Sequence, residues 1–133
     1  MMNLREVKDW LKTLNIAEHY HVGKLDAKKE KSVGVYDRRD SLPDRINHGG
    51  YDSVLYEILP VQLLIHWNGN GSETDIANCE IVEKLRELRG GGFYIGDYLI
   101  AECKIYPKGM IGTDANKIYE AVIWLDIYYN KNL

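Results

Sequence analysis

The sequence predicts an α+β domain, a mostly antiparallel sheet carrying two main helices packed on one face. Three stretches carry that expectation. In residues 58–67, Val61, Leu63, Ile65 and Trp67 alternate with Gln62, Leu64 and His66, the period-two pattern of a half-buried strand. Residues 72–88 place Ala77, Ile81, Leu85 and Leu88, with Val82 beside them, on one helical stripe. Residues 99–105 then set Leu99, Ala101, Cys103 and Ile105 on one side of a second strand.

Punctuation between these stretches agrees with them. Asn68-Gly-Asn-Gly71 breaks the first strand, since Asn and Gly tolerate the positive φ of a tight turn. Ser72 is the expected cap of the helix, with Glu73 and Asp75 at the positive end of its dipole. Gly90-Gly-Gly92 stops it.

The rest of the chain fills in around this centre. Residues 3–14 carry Leu4, Val7, Trp10, Leu11 and Leu14 on one face behind Asn3, an expected cap, and predict a short core-packed helix. Residues 19–25 and 32–37 predict two strands, and the charged tip 26–31 between them points to a hairpin. That tip is either a solvated turn or a docking arm. Residues 38–50, with Pro43 and paired glycines, predict a long loop, either a functional segment or a surface link. Residues 51–57 can start the central strand early, with Pro60 marking a bulge or an edge. Residues 107–117 predict a second irregular stretch. Residues 119–129 predict a last strand apolar or aromatic on both faces, and therefore central or covered by a partner.

With 133 residues, one domain spanning 1–133 is expected, large enough for a core without staples. The composition is 45% hydrophobic and 28% charged, and 17 basic against 20 acidic residues give a formal charge of −3. This lacks the basic footprint of a dedicated nucleic-acid binder, so no sequence-specific nucleic acid is expected as a partner. Cys79 and Cys103 both fall among apolar neighbours and predict buried free thiols. No basic-then-apolar leader opens the sequence and no apolar run approaches membrane-spanning length, so folding in a cytoplasm without membrane attachment is expected.

The residues offer little chemistry. Gly90-Gly-Gly92 follows a helix, whereas a phosphate loop must precede one; Gly69-Asn-Gly71 precedes one but lacks the lysine and is followed by Glu73 and Asp75. Cys79 has Glu80 and Glu83 nearby, which raise a thiol pKa, and the neighbours of Cys103 point to the opposite strand face. His19 and His21 share a strand face, but no third ligand of fixed spacing accompanies them, and His66 reads as structural. No catalytic residue, metal or cofactor is assigned.

The aromatic load is unusual: ten tyrosines and three tryptophans against one phenylalanine. Tyr98, Tyr106, Trp124, Tyr128 and Tyr129 gather near the end strands, which suits either a partly wet subunit interface or a sheet face covered by the chain's own helix.

The order of these features resembles the tail terminator and minor capsid proteins of long-tailed bacteriophages and prophages. The residues that carry the likeness are the first helix Leu4 to Leu14, the strand ending Leu64-Ile-His-Trp-Asn68 and the helix Ser72 to Leu88. With them goes Gly112-Thr-Asp-Ala-Asn-Lys-Ile-Tyr-Glu120 running into Trp124-Leu-Asp-Ile-Tyr-Tyr129. The resemblance spans nearly the whole chain and rests on order and texture, with no catalytic signature to match. It implies a non-enzymatic virion subunit, assembled in the bacterial host cytoplasm, that forms a ring, usually of six. The ring would cap the tail tube and meet a head-completion or connector protein. The partners implied are thus other copies of the chain, the tail-tube protein and that connector.

A closing ring needs two different patches on each subunit. Exposure and charge nominate Lys28, Lys29, Lys31, Arg38, Arg39 and Asp40 for one contact, and Trp124, Tyr128 and Tyr129 for the other. The alternative is a small α+β ligand-binding or regulatory module with a pocket around His66 and Tyr106. A small hydrolase or nuclease is disfavoured by the missing nucleophile or metal constellation.

Overall fold

Asn3 opens the first helix, α1 (Leu4–Thr13), by a reciprocal cap. Its side chain accepts the Glu6 N–H at 2.9 Å, and Glu6 accepts the Asn3 N–H at 3.1 Å. The structure is a computed structural model and describes residues 1–23, 26, 28–39 and 56–130. Along these residues α1 is followed by β1 (His19–Val22), β2 (Ser32–Asp37), β3 (Tyr56–His66), α2 (Gly71–Arg86), β4 (Phe93–Ile95), β5 (Tyr98–Thr113) and β6 (Tyr119–Asn130). The predicted strand extension through residues 24 and 25, the early strand start at 51–55 and residues 40–50 of the predicted loop lie outside the described residues.

The described strands form a six-stranded sheet in the order β1-β2-β3-β6-β5-β4. Every neighbouring pair is antiparallel except β1 and β2, so the sheet is mostly antiparallel and the α+β class holds. β6 is central, between β3 and β5, as its two apolar faces predict.

The parallel pairing of β1 with β2 corrects the expected hairpin: His19 stands opposite Ser32 and Val22 opposite Val35. Lys31 makes the junction. In left-handed geometry (φ 54°), its N–H donates to the Trp67 carbonyl at 2.7 Å and its carbonyl accepts from Glu18 and His19. β1 and β2 therefore both start at the end of the sheet where Lys31 meets Trp67. A parallel crossover normally takes a dozen or more residues, which is why a short charged link looks like a turn.

The core is built on the odd-numbered positions of β3 and β6. Leu59 faces Ile127, Val61 faces Leu125, Leu63 faces Ile123 and Ile65 faces Ala121, all fully buried. Burying each large aliphatic side chain contributes about 1.5–3 kcal/mol. Val7, Trp10 and Leu11 of α1 and Ile81, Val82 and Leu85 of α2 belong to the same hydrophobic cluster. Trp10 stacks on Phe93 of β4 with ring centroids 5.4 Å apart, fastening α1 to the far edge.

Local differences from expectation have physical reasons. The cap of α2 is Asn70, which accepts the Glu73 N–H at 3.0 Å; Ser72 lies two residues too late, already inside the helix, and is exposed. Cys79 also falls on the outer face of α2 and is exposed, whereas Cys103 is buried as expected. Pro60 makes neither a bulge nor an edge. β3 keeps unbroken register with β6, and Pro60 aims its carbonyl at the Arg38 N–H just past the end of β2, where its missing N–H breaks no ladder bond. Residues 107–113, expected to be irregular, continue β5 through register shifts at Pro107/Gly109 and Met110/Gly112; both glycines have positive φ.

Candidate functional site

The even-numbered positions form a second sheet face. Antiparallel register pairs Gln62 with Trp124, Leu64 with Val122 and His66 with Glu120, and on the other side Lys104 with Asp126 and Tyr106 with Trp124. Residues opposite one another share a face, so these side chains lie together, away from the Val61–Ile65 core. Two groupings stand out on it.

The first surrounds Trp124. Its indole N–H donates to Gln62 Oε1 at 3.1 Å, and two cations lie against its ring, the Arg38 guanidinium 4.4 Å and the Lys108 ammonium 4.2 Å from the centroid. Lys104 lies 5.1 Å from the Tyr128 ring centroid, and its hydrogen bond with Tyr128 raises the lysine above its ordinary pKa. Trp124 and Tyr128 are half-buried, while Tyr106, Lys104 and Lys108 are exposed. This is a partly wet aromatic surface on which two exposed lysines outnumber the one exposed carboxylate, Glu102, opposite Tyr128.

The second grouping lies at the other end of β6. His66 ends β3, Glu120 begins β6 opposite it, and Asp114 sits in the turn between β5 and β6. His66 Nδ1 is 2.9 Å from Glu120 Oε2 and 3.7 Å from Asp114 Oδ2. Asp114 Oδ1 accepts the N–H groups of Asn116 at 2.9 Å and Ile118 at 3.0 Å, which fixes the carboxylate with Oδ2 toward the imidazole. His66 is 1% exposed. In the sequence His66 reads as a lone structural histidine, because partners 48 and 54 positions away become neighbours only through the register of β3 with β6. A histidine at a strand end opposite a glutamate is the one signal that pairing would have given.

The residues nominated for subunit contacts are dispersed. Lys28, Lys29 and Arg39 are exposed, and Arg39 pairs with Asp37 at 3.3 Å; Asp40 lies outside the described residues. Lys31 is half-buried, its backbone engaged at the β1–β2 junction. Arg38 is 8% exposed and paired with the buried Asp126, so it belongs to the interior and not to a docking surface. Tyr129 is also corrected. It turns to the core face at 2% exposure, packs edge-on against Tyr98 at 5.0 Å, donates to Glu57 and accepts the Met2 N–H. The aromatic group is thus split, Tyr98 and Tyr129 inward and Tyr106, Trp124 and Tyr128 on the second face.

The thiols and histidines offer no nucleophilic dyad among the described residues. Burial, reinforced by Asp126 and Glu102, pushes the Cys103 thiol up to about 12. His19 and His21 share the second face at its β1 edge, and burial, with Lys29 nearby, lowers His21 below its ordinary value. The shallow groove between the end of α2 and β5 is lined by Arg86, Arg89, Lys104 and Tyr106 but not by His66, so the two residues expected to share a pocket do not. No helix among the described residues is long and apolar enough to cross a membrane. No protein-family model matches the sequence, and no curated protein matches it.

Proposed function

We propose that the chain is a non-enzymatic, ring-forming structural subunit of a phage or prophage virion. In this reading it resembles a tail terminator, assembles in the host cytoplasm as a hexamer, caps the tail tube and presents a surface to the head-completion protein. Its fold would set α1 and α2 on one sheet face and leave the other for contacts between subunits, an arrangement supported by the shared core cluster of the two helices.

The observation that carries the reading is a pair of unlike surfaces. The second sheet face offers Trp124, Tyr128 and Tyr106 with Lys104 and Lys108. The outer side of α2 offers Glu73, Asp75, Glu80, Glu83 and Glu87 around Ile76, which is 57% exposed. Its two cations are partly engaged, Lys84 on the Leu14 carbonyl and Arg86 on Glu83. A head-to-tail ring requires two different, complementary patches, and a cationic aromatic face docking on an acidic helix of the next subunit supplies them. Along Lys104–Thr113, β5 pairs only with β6 among the described residues, but Pro107, two lysines and two bulges blunt that edge. Side-chain docking therefore serves better than strand addition.

The test is the solution mass of the purified chain by light scattering over a concentration series, followed by electron microscopy for annular particles. A hexamer, or a monomer converting to one, is expected. A strict monomer at every concentration that also ignores tail-tube protein would sink the reading.

A further inference from the structure

We propose that His66, Asp114 and Glu120 form a divalent transition-metal site of the zinc class, which clamps the β5–β6 turn to the end of β3. One imidazole and two carboxylates are a donor set that borderline divalent ions accept. One ligand atom from each of the three side chains lies within 4.8 Å of the other two. The two separations from Nδ1, 2.9 and 3.7 Å, bracket the distance of about 3.4 Å between donors bound tetrahedrally at zinc bond lengths.

Three further observations favour an ion over a plain hydrogen bond. Two carboxylates converge on one ring nitrogen, which has a single proton to donate. Neither carboxylate has a lysine or arginine within ion-pair distance among the described residues, although their side chains are only 18% and 17% exposed. Finally, the Asn116 and Ile118 amides hold the Asp114 carboxylate in place from behind, the outer support that metal ligands usually have. The partial exposure of Asp114 and Glu120 leaves room for an ion to enter and keep water as a fourth ligand.

The experiment is calorimetric titration of the chelator-stripped full chain with zinc chloride. One ion per chain is expected. Asp114→Asn, which keeps the Oδ1 acceptor of the turn, and Glu120→Gln should each weaken binding at least about tenfold. His21→Gln should leave it unchanged, separating this site from the His19/His21 pair. Should a variant fail to fold, manganese titrated into wild-type protein should broaden the amide signals of Ile118, Tyr119 and Trp67 first. Absence of zinc binding by the folded wild type, affinity retained in the folded Asp114→Asn/Glu120→Gln chain, or broadening centred on β1 would each overturn the proposal. None of these outcomes depends on whether the chain forms a ring.

Discussion

Both terminal nitrogens of Arg38 reach one carboxylate oxygen of Asp126, at 3.1 and 2.8 Å. The pair joins the end of β2 to β6 across β3, beside Pro60, which stands opposite Asp126. The side chains are 7% and 2% exposed, so both charges are desolvated, and Arg38 also contacts the Leu125 carbonyl at 3.4 Å and the Trp124 ring. In such a site the cost lies in breaking the pair more than in lacking it. Arg38→Met should lose about 3–5 kcal/mol in urea unfolding, because it strands a buried carboxylate. The double replacement Arg38→Met/Asp126→Leu should recover most of that loss. Equal losses in the single and double variants would mean that the guanidinium acts through packing on Trp124 instead.

If the second face docks on α2 of a neighbouring subunit, charge reversal on either patch should be disruptive and reversal on both should be repairable. Lys104→Glu/Lys108→Glu should abolish the higher mass in light scattering while changing unfolding stability by no more than about 2 kcal/mol, the scale of the two exposed cation–π contacts removed. Glu80→Lys/Glu83→Lys should do the same alone. Combining the four substitutions in one chain should restore assembly, since each interface then regains opposite charges.

The parts of this architecture set by near neighbours were legible in the sequence. α1 with its Asn3 cap, the stripe of α2, the core side of β3 and the central position of β6 all follow from periodicity over a few residues. What depends on distant register was not. The parallel β1–β2 pair is decided by Lys31 bonding to Trp67, and the His66 cluster by the alignment of β3 with β6. Arg38 looked like a surface charge because its partner, Asp126, is 88 positions away. β5 is longer than its sequence suggests, because Pro107, Gly109 and Gly112 look like loop residues when they lie at register shifts within the strand. Tyr129 and Tyr128 look alike in the sequence, but adjacent strand residues point to opposite faces.

Stability should decline on the alkaline side. Burial pushes the Cys103 thiol from 9.0 up to about 12, and burial with the hydrogen bond to Glu57 pushes the Tyr129 phenol from 10.0 up to about 12. Each group is thus protonated in the folded chain where the unfolded chain would ionise. Stability from this source is complete below about pH 9 and is lost as pH rises toward 12. Urea midpoints measured from pH 7 upward should be flat and then fall, and Cys103→Ala should flatten the start of the fall. In the native state near neutral pH a thiol reagent should modify the exposed Cys79 alone, with Cys103 reacting only on unfolding. Two fast equivalents would show that β5 opens locally.

Gly91 tests the junction between α2 and the β4–β5 hairpin. It has φ +75°, and an added Cβ would sit 2.3 Å from the Ala101 carbonyl oxygen and 2.6 Å from that of Ile100, both backbone atoms that a rotamer change cannot move. The same stretch is tied by the Gly92 N–H to the Ile100 carbonyl at 2.8 Å and the Cys103 N–H to the Arg89 carbonyl at 3.0 Å, so relief by shifting β5 would break ladder geometry next to the core. Gly90, one residue earlier, has nothing within 4 Å of its Cβ position and no positive φ. Gly90→Ala should therefore change stability by less than about 1 kcal/mol in either direction. Gly91→Ala combines left-handed strain of about 1–2 kcal/mol with the backbone clash and should cost more than that sum of strain alone. Comparable unfolding midpoints for the two variants would mean that the α2–β5 junction is looser than this close approach implies.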